Sequence, residues 1–288
     1  MIPRVGEIRY LLAGAFYRMV YYEFGNPEAP PVVCVHGLTR TGRDFDALAA
    51  GLADRFRVIA PDLPGRGGSS WLPDASLYEP PSYVQALSHL LAALGKPVHW
   101  VGTSLGGLCG MMIAAGLGHP IRKLVLNDVG PFIPANAIRR IRDYMINGVR
   151  PEFPDILALE AHLRHVHEEF GLLTDAQWEH LAKTSARPLP DGRVAFHYDP
   201  GIAKPIRSTL AIDTDLWPLW ERIKIPVLAI RGERSELLLP KTLARMQASG
   251  AATWIVKDAG HAPALMDFPT IRAIRDFLLQ EEEEPSGA

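Results

Sequence analysis

The sequence predicts an α/β protein: a mostly parallel, twisted sheet with flanking helices and one inserted helical segment. Three observations predict it. Short, near-continuous apolar runs recur along the chain, as at Val32–Val35 and Val98–Val101, and such runs mark strands buried on both faces under helices. Each run breaks at a turn and is followed by a helical pattern, and a β-α-β-α order implies right-handed crossovers. One interval, Asp128 to Pro226, breaks the rhythm without a convincing buried strand. It is far longer than a single crossover needs.

In chain order, Glu7–Leu12 and Tyr17–Phe24 read as an antiparallel hairpin at one edge. Val32–Val35, Arg57–Ala60, Val98–Val101, Lys123–Leu126, Pro226–Ile230 and Thr253–Val256 read as the buried strands. Helical patterns fall at Gly42–Ala53, Ser82–Leu94, Leu105–Leu117, Pro240–Ser249 and Pro269–Gln280. The last two begin with proline, which a first helical turn tolerates. Within the long interval, Thr174-Asp-Ala-Gln177 is a capping-box pattern, and Pro188–Asp199 reads as a turn or short hairpin. The expected organisation is a core of residues 1–130 and 218–280, a helical cap of residues 131–217, and an acidic tail of residues 281–288. The Glu281–Glu284 run before Pro-Ser-Gly-Ala reads as frayed.

Composition excludes several classes. The 288 residues are 48% hydrophobic and 22% charged, as in ordinary globular chains. A net charge of -2 offers no concentrated basic face for nucleic acid. No uncharged apolar run approaches the ~20 residues that span a bilayer. Met1–Leu12 carries Arg4, Glu7 and Arg9 and does not read as a secretory signal. Both cysteines, Cys34 and Cys109, sit in apolar runs and read as buried, reduced thiols. The expected setting is cytoplasmic and the expected partner a small-molecule substrate.

The strongest chemical signal is Gly102-Thr103-Ser104-Leu105-Gly106-Gly107. It matches Gly-x-Ser-x-Gly directly after a strand and before a helix, the context that makes this motif informative. A sharp strand-to-helix turn presents the serine at its apex, and glycines on both sides admit a strained backbone. The amides that follow open a helix, where developing negative charge is stabilised. A late histidine, His261 in Asp258-Ala-Gly-His-Ala-Pro, also follows a strand. Histidine can take and return a proton near neutral pH.

Together with Val35-His36-Gly37-Leu38 and Asp62-Leu-Pro-Gly65-Arg-Gly67-Gly68-Ser69, these landmarks make the chain resemble the α/β-hydrolase fold family. The resemblance is to its capped, esterase- and lipase-like branch and covers nearly the full length outside the cap. It implies Ser104 as nucleophile and His261 as general base, in the family order serine, acid, histidine. It also implies an oxyanion hole built from the backbone N–H groups of Leu38 and Leu105. His36 itself reads as a buried histidine hydrogen-bonded within its loop. No cofactor and no metal are implied. His162 and His165 are one helical turn apart, but no accompanying cysteine or carboxylate completes a ligand set.

The acid is where the chain departs from the family pattern. The usual place is an aspartate three residues past a glycine, after the strand ending at Ile230. Here the run is Gly232-Glu233-Arg234-Ser235-Glu236, with Ser235 at that place. A subset of the family carries Gly-x-x-Ser-Asp, which makes Glu236 the expected acid. The alternative is Asp128, in the loop after the sixth strand, the family's other acid position. A serine rather than an aspartate at the elbow removes dehalogenase and epoxide hydrolase chemistry. The expected reaction is acyl transfer from a small or medium carboxylic ester to water. Carbon–carbon bond or lactone cleavage, and ligand binding without catalysis, are the alternatives on the same scaffold. For the pocket, Arg40, Tyr144, Trp178 and Trp217 are the candidate substrate-binding residues, Arg40 toward an anionic group.

Overall fold

The computed structural model describes residues 1–147 and 152–280, so the expected acidic tail at 281–288 lies outside the described residues. The chain opens with β1 (Arg4–Leu12) and β2 (Ala15–Phe24), then β3 (Pro31–Val35), α1 (Asp46–Leu52), β4 (Arg57–Pro61) and α2 (Pro80–Leu94). β5 (Val98–Thr103), α3 (Leu105–Ala114) and β6 (Ile121–Asn127) complete the first part. The long interval holds β7 (Phe132–Ile133), α4 (Ala135–Asn147), β8 (Glu152–Phe153), α5 (Ile156–Val166), α6 (Asp175–Ser185), β9 (Ala186–Pro188), β10 (Val194–Phe196), α7 (Ala203–Ser208) and β11 (Thr214–Asp215). Then come α8 (Trp217–Trp220), β12 (Val227–Gly232), α9 (Pro240–Ala248), β13 (Ala252–Val256) and α10 (Phe268–Leu279).

Eight strands form one sheet in the order β1-β2-β4-β3-β5-β6-β12-β13. β1 and β2 form the expected antiparallel hairpin, and β2 pairs antiparallel to β4. From β4 to β13 every pairing is parallel. The period-2 alternation of the strands sorts the core into two layers. Val33 and Val35 face a cluster that includes Leu87 and Leu90 of α2, Met111 of α3 and Met246 of α9. Val32 and Cys34 face the opposite cluster, with Leu48 of α1 and Ile274 of α10. Each layer removes a continuous apolar surface from water, and this burial is the main force holding helices on both faces.

Two expectations need correction. The run Thr253–Val256 was expected to be buried, yet β13 is largely exposed or half-buried. It is the sheet's last strand and has one neighbour. The inserted segment is also not purely helical. It holds a three-stranded sheet, β8-β10-β9, and a two-stranded pair, β11-β7. These strands are two or three residues long, too short for periodicity to register. The hairpin expected near Pro188–Asp199 is β9 paired with β10. The Thr174 capping box is present: Thr174 Oγ1 accepts from Gln177 N at 3.3 Å, and Gln177 Oε1 accepts from Thr174 N at 2.8 Å. No helix among the described residues is long and apolar enough to cross a membrane.

Candidate active site

The carboxyl edge of the parallel strands gathers the site, as expected for an open α/β sheet. Ser104 sits between β5 and α3 with φ 50° and ψ −111°, a conformation costly for a residue with a side chain. The surrounding glycines explain why the turn closes. A Cβ on Gly102 would lie 2.4 Å from the Gly106 backbone, and one on Gly106 would lie 2.0 Å from Val35 O. Strand and helix therefore approach too closely for any larger residue.

His261 reaches this serine from the loop after β13. Its Nε2 lies 3.0 Å from Ser104 Oγ, and its Nδ1 lies 2.6 Å from Asp128 Oδ2. Asp128 is fully buried and follows β6 directly. Its carboxylate also accepts from Ser235 Oγ at 2.6 Å and from Gly232 N at 3.0 Å. Three donors on one buried carboxylate satisfy most of its acceptor capacity and fix its orientation. The serine, histidine and Asp128 thus form one hydrogen-bonded line.

The expectation for Glu236 is corrected here. Its side chain is 56% exposed and pairs with Arg140 of α4 at the cavity rim. It makes no hydrogen bond to His261. Glu236 points outward because its neighbour Ser235 turns inward to Asp128 and accepts from Leu237 N and Leu238 N, each at 3.2 Å. The serine at the family's usual acid place was the signal: a hydroxyl there is what a carboxylate on the adjacent strand needs as a donor.

The turn after β3 is braced from behind. His36 Nε2 accepts from Leu63 N at 2.9 Å, so Nδ1 carries the proton and donates to Gly37 O at 2.6 Å. Burial pushes the His36 pKa down to about 3, which keeps the ring neutral. Arg66 Nε donates to Leu38 O at 2.8 Å. Gly37 O and the Leu38 N–H belong to one planar trans peptide and point in opposite directions. Pinning the carbonyl therefore aims the amide. Neither the Leu38 nor the Leu105 N–H has a hydrogen-bond partner among the described residues.

Ser104, His261 and Leu38 open into a cavity of about 290 Å³. The inserted segment supplies much of its wall, through Ala137, Ile141 and Tyr144 of α4, and Val166, Phe170 and Leu181. Tyr144 lines it as expected. Trp178 and Trp217 do not line it. Trp178 packs among Leu159, Leu163 and Leu181 inside the insertion, and Trp217 packs beside Trp220 and under Arg245. Both rings are spent on core packing.

Arg40 also needs correction as an anion-binding group. It lines the cavity but is 5% exposed, and its Nε and Nη2 hold Asp44 in a bidentate pair at 2.7 and 2.8 Å. Its charge is already matched. His162 packs against Phe153 and Phe196.

Two further residues had no sequence signal. Glu169 Oε2 accepts from His261 N at 3.2 Å, and Glu169 O accepts from Gly260 N at 2.8 Å, so the insertion braces the histidine loop. Asn127 Nδ2 donates to Thr103 Oγ1 at 3.0 Å and to Pro263 O at 2.8 Å, and Asn127 O accepts from Ser104 N at 2.9 Å. It ties the serine turn to the histidine loop.

The profile of the alpha/beta hydrolase family matches residues 32–272. The 3-hydroxybutyrate-oligomer hydrolase of Cupriavidus necator is 42% identical over 96% of this chain and 98% of its own length. The pimeloyl-[acyl-carrier protein] methyl ester esterase of Methylococcus capsulatus is 28% identical over 87% of this chain and 95% of its own. The crystal structure of an alpha/beta hydrolase from Novosphingobium aromaticivorans superposes with a TM-score of 0.84 at 34% identity, covering 96% of this chain and 99% of that one.

Proposed function

This chain belongs to the alpha/beta hydrolase family, and from that premise we propose that it hydrolyses carboxylic esters of short 3-hydroxy acids through an acyl-enzyme on Ser104. The observation that carries the reading is the hydrogen-bonded line Ser104–His261–Asp128 at the wall of a small cavity. Ser104 Oγ attacks the ester carbonyl carbon as His261 Nε2 takes its proton. The tetrahedral oxyanion forms against the Leu38 and Leu105 amides, whose free N–H groups can each lower the barrier by a few kcal/mol. Its collapse expels the alcohol, which receives the proton from His261. Water then attacks the acyl-enzyme, giving its proton to His261, and Ser104 recovers that proton as the acid leaves. Asp128 holds the Nδ1–H tautomer and stabilises the imidazolium.

The substrate class is supported by the Cupriavidus relative, matched nearly end to end. The Methylococcus relative, named a methyl ester esterase, favours ester cleavage over carbon–carbon chemistry. The segment 131–217 acts as a cap that roofs the serine, supported by the α4 and Phe170 side chains in the wall. Two buried free thiols, Cys34 and Cys109, support a reducing, cytoplasmic setting.

The test is a fluorophosphonate labelling gel together with turnover of p-nitrophenyl butyrate and 3-hydroxybutyrate dimer. Wild type should label and turn over both. Ser104→Ala should lose labelling and about a millionfold in kcat while keeping its melting temperature. Half-normal turnover by the alanine variant would refute the assignment.

A further inference from the structure

We propose that His167 recognises the 3-hydroxyl of a 3-hydroxyacyl ester held at Ser104, and so sets substrate choice. The inference rests on the ester reading above. His167 follows α5 directly and lines the same cavity as Ser104 and His261. Several other polar side chains of that wall are engaged: Arg40 by Asp44, Arg140 by Glu236, and Thr103 by Asn127. The His167 ring nitrogens have no hydrogen-bond partner among the described residues.

The ring is nonetheless held in place. It stacks on Phe170 at 4.3 Å between centroids and 18° between planes. The backbone on both sides is fixed too, since His167 N donates to Leu163 O at 2.9 Å and Phe170 N to His167 O at 2.9 Å. Burial first, and the Arg40 guanidinium second, hold its pKa well below the ordinary histidine value. A neutral imidazole presents one donor and one acceptor. In a mainly apolar pocket, a few such groups fix a ligand's orientation. A hydroxyl is the reciprocal partner, because it donates and accepts at one atom. A carboxylate or phosphate would gain most from a charged donor, and the Arg40 and Arg140 cations of this wall are already paired with carboxylates. The ring is half-buried and its nitrogens face no protein partner, so a substrate hydroxyl entering the cavity can meet them.

The experiment compares kcat/KM for p-nitrophenyl 3-hydroxybutyrate and p-nitrophenyl butyrate in wild type, His167→Phe, His167→Leu and His167→Gln, with a melting temperature for each. Wild type should prefer the hydroxy ester by about tenfold, the contribution expected of one well-placed hydrogen bond. The Phe and Leu variants should bring that ratio near one, mainly through KM. The Gln variant, which keeps a donor and an acceptor, should restore part of it. The ratio is read from whichever apolar variant melts like wild type. Equal turnover of both esters by wild type, or a ratio unchanged in an apolar variant, overturns the inference and leaves the ester reading standing. No turnover of either ester by wild type overturns both.

Discussion

Asp128→Asn tests the line of hydrogen bonds most directly. The substitution conserves shape, so the fold should hold, but it cannot satisfy the three donors that converge on the carboxylate. If the amide oxygen takes the Oδ2 place, it still accepts from His261 and Ser235, and the NH2 group then confronts the Gly232 N–H that now lies 3.0 Å from Oδ1. If the amide flips, its NH2 faces His261 Nδ1 and drives the proton to Nε2. That is the nitrogen that must accept from Ser104. Either arrangement removes the negative charge that stabilises the imidazolium. By analogy with other triads the loss should be about ten-thousandfold in kcat, or ~5.5 kcal/mol of barrier. Glu236→Gln should change kcat less than about threefold, because an ion pair this exposed contributes about 0–1 kcal/mol. The assay is steady-state hydrolysis of p-nitrophenyl butyrate by both variants, with circular dichroism to confirm folding. A large loss in Glu236→Gln beside near-normal Asp128→Asn would refute the reasoning.

Two other perturbations separate packing and protonation from chemistry. Trp178→Ala should cost about 3 kcal/mol of stability, as for other large core truncations, and leave the preference among acyl lengths unchanged; a shift in chain-length preference without a lower urea midpoint would contradict the packing role. His36 binds its proton more weakly when folded (pKa about 3) than at the ordinary value of 6.5. Between those pH values the unfolded chain holds the extra proton, so stability is complete above about pH 6.5 and falls as pH drops toward 3. His36→Asn should remove up to about 1.4 kcal/mol per pH unit of that slope, measured as urea midpoints at pH 7 and pH 5, and an unchanged slope would count against a neutral buried ring.

What the sequence revealed depended on how local the deciding physics was. β3 and β12 were legible because burial on both faces leaves a continuous apolar run. The Thr174 cap was legible because its partner is three residues away. Ser104 was legible because the turn demands glycines on either side. The acid was not, because the contact that decides it joins Asp128 to His261 across 133 residues. Both carboxylates had a plausible loop, and only the inward turn of Ser235 separates them. Trp178 and Trp217 were misread for a related reason: a sequence shows that a ring will be buried, not whether it is buried in core or in a cavity wall. His167 and Glu169 gave no signal, since their roles arise from how the insertion folds back over the core.

The contact between Asp128 and Ser235 bears on how such sites diverge. The two residues meet at 2.6 Å from the ends of β6 and β12, neighbouring strands of one sheet. A single negative charge facing the imidazole therefore has two adjacent addresses. A lineage can move it by one strand while the nucleophile, the base and the oxyanion turn stay where they are. Even a stage with neither carboxylate would keep the residual catalysis that positioning and the oxyanion amides supply, on the order of a thousandfold over water. Which strand bears the acid then records descent more than chemistry, and a comparison keyed to one address would read a working site as a broken one.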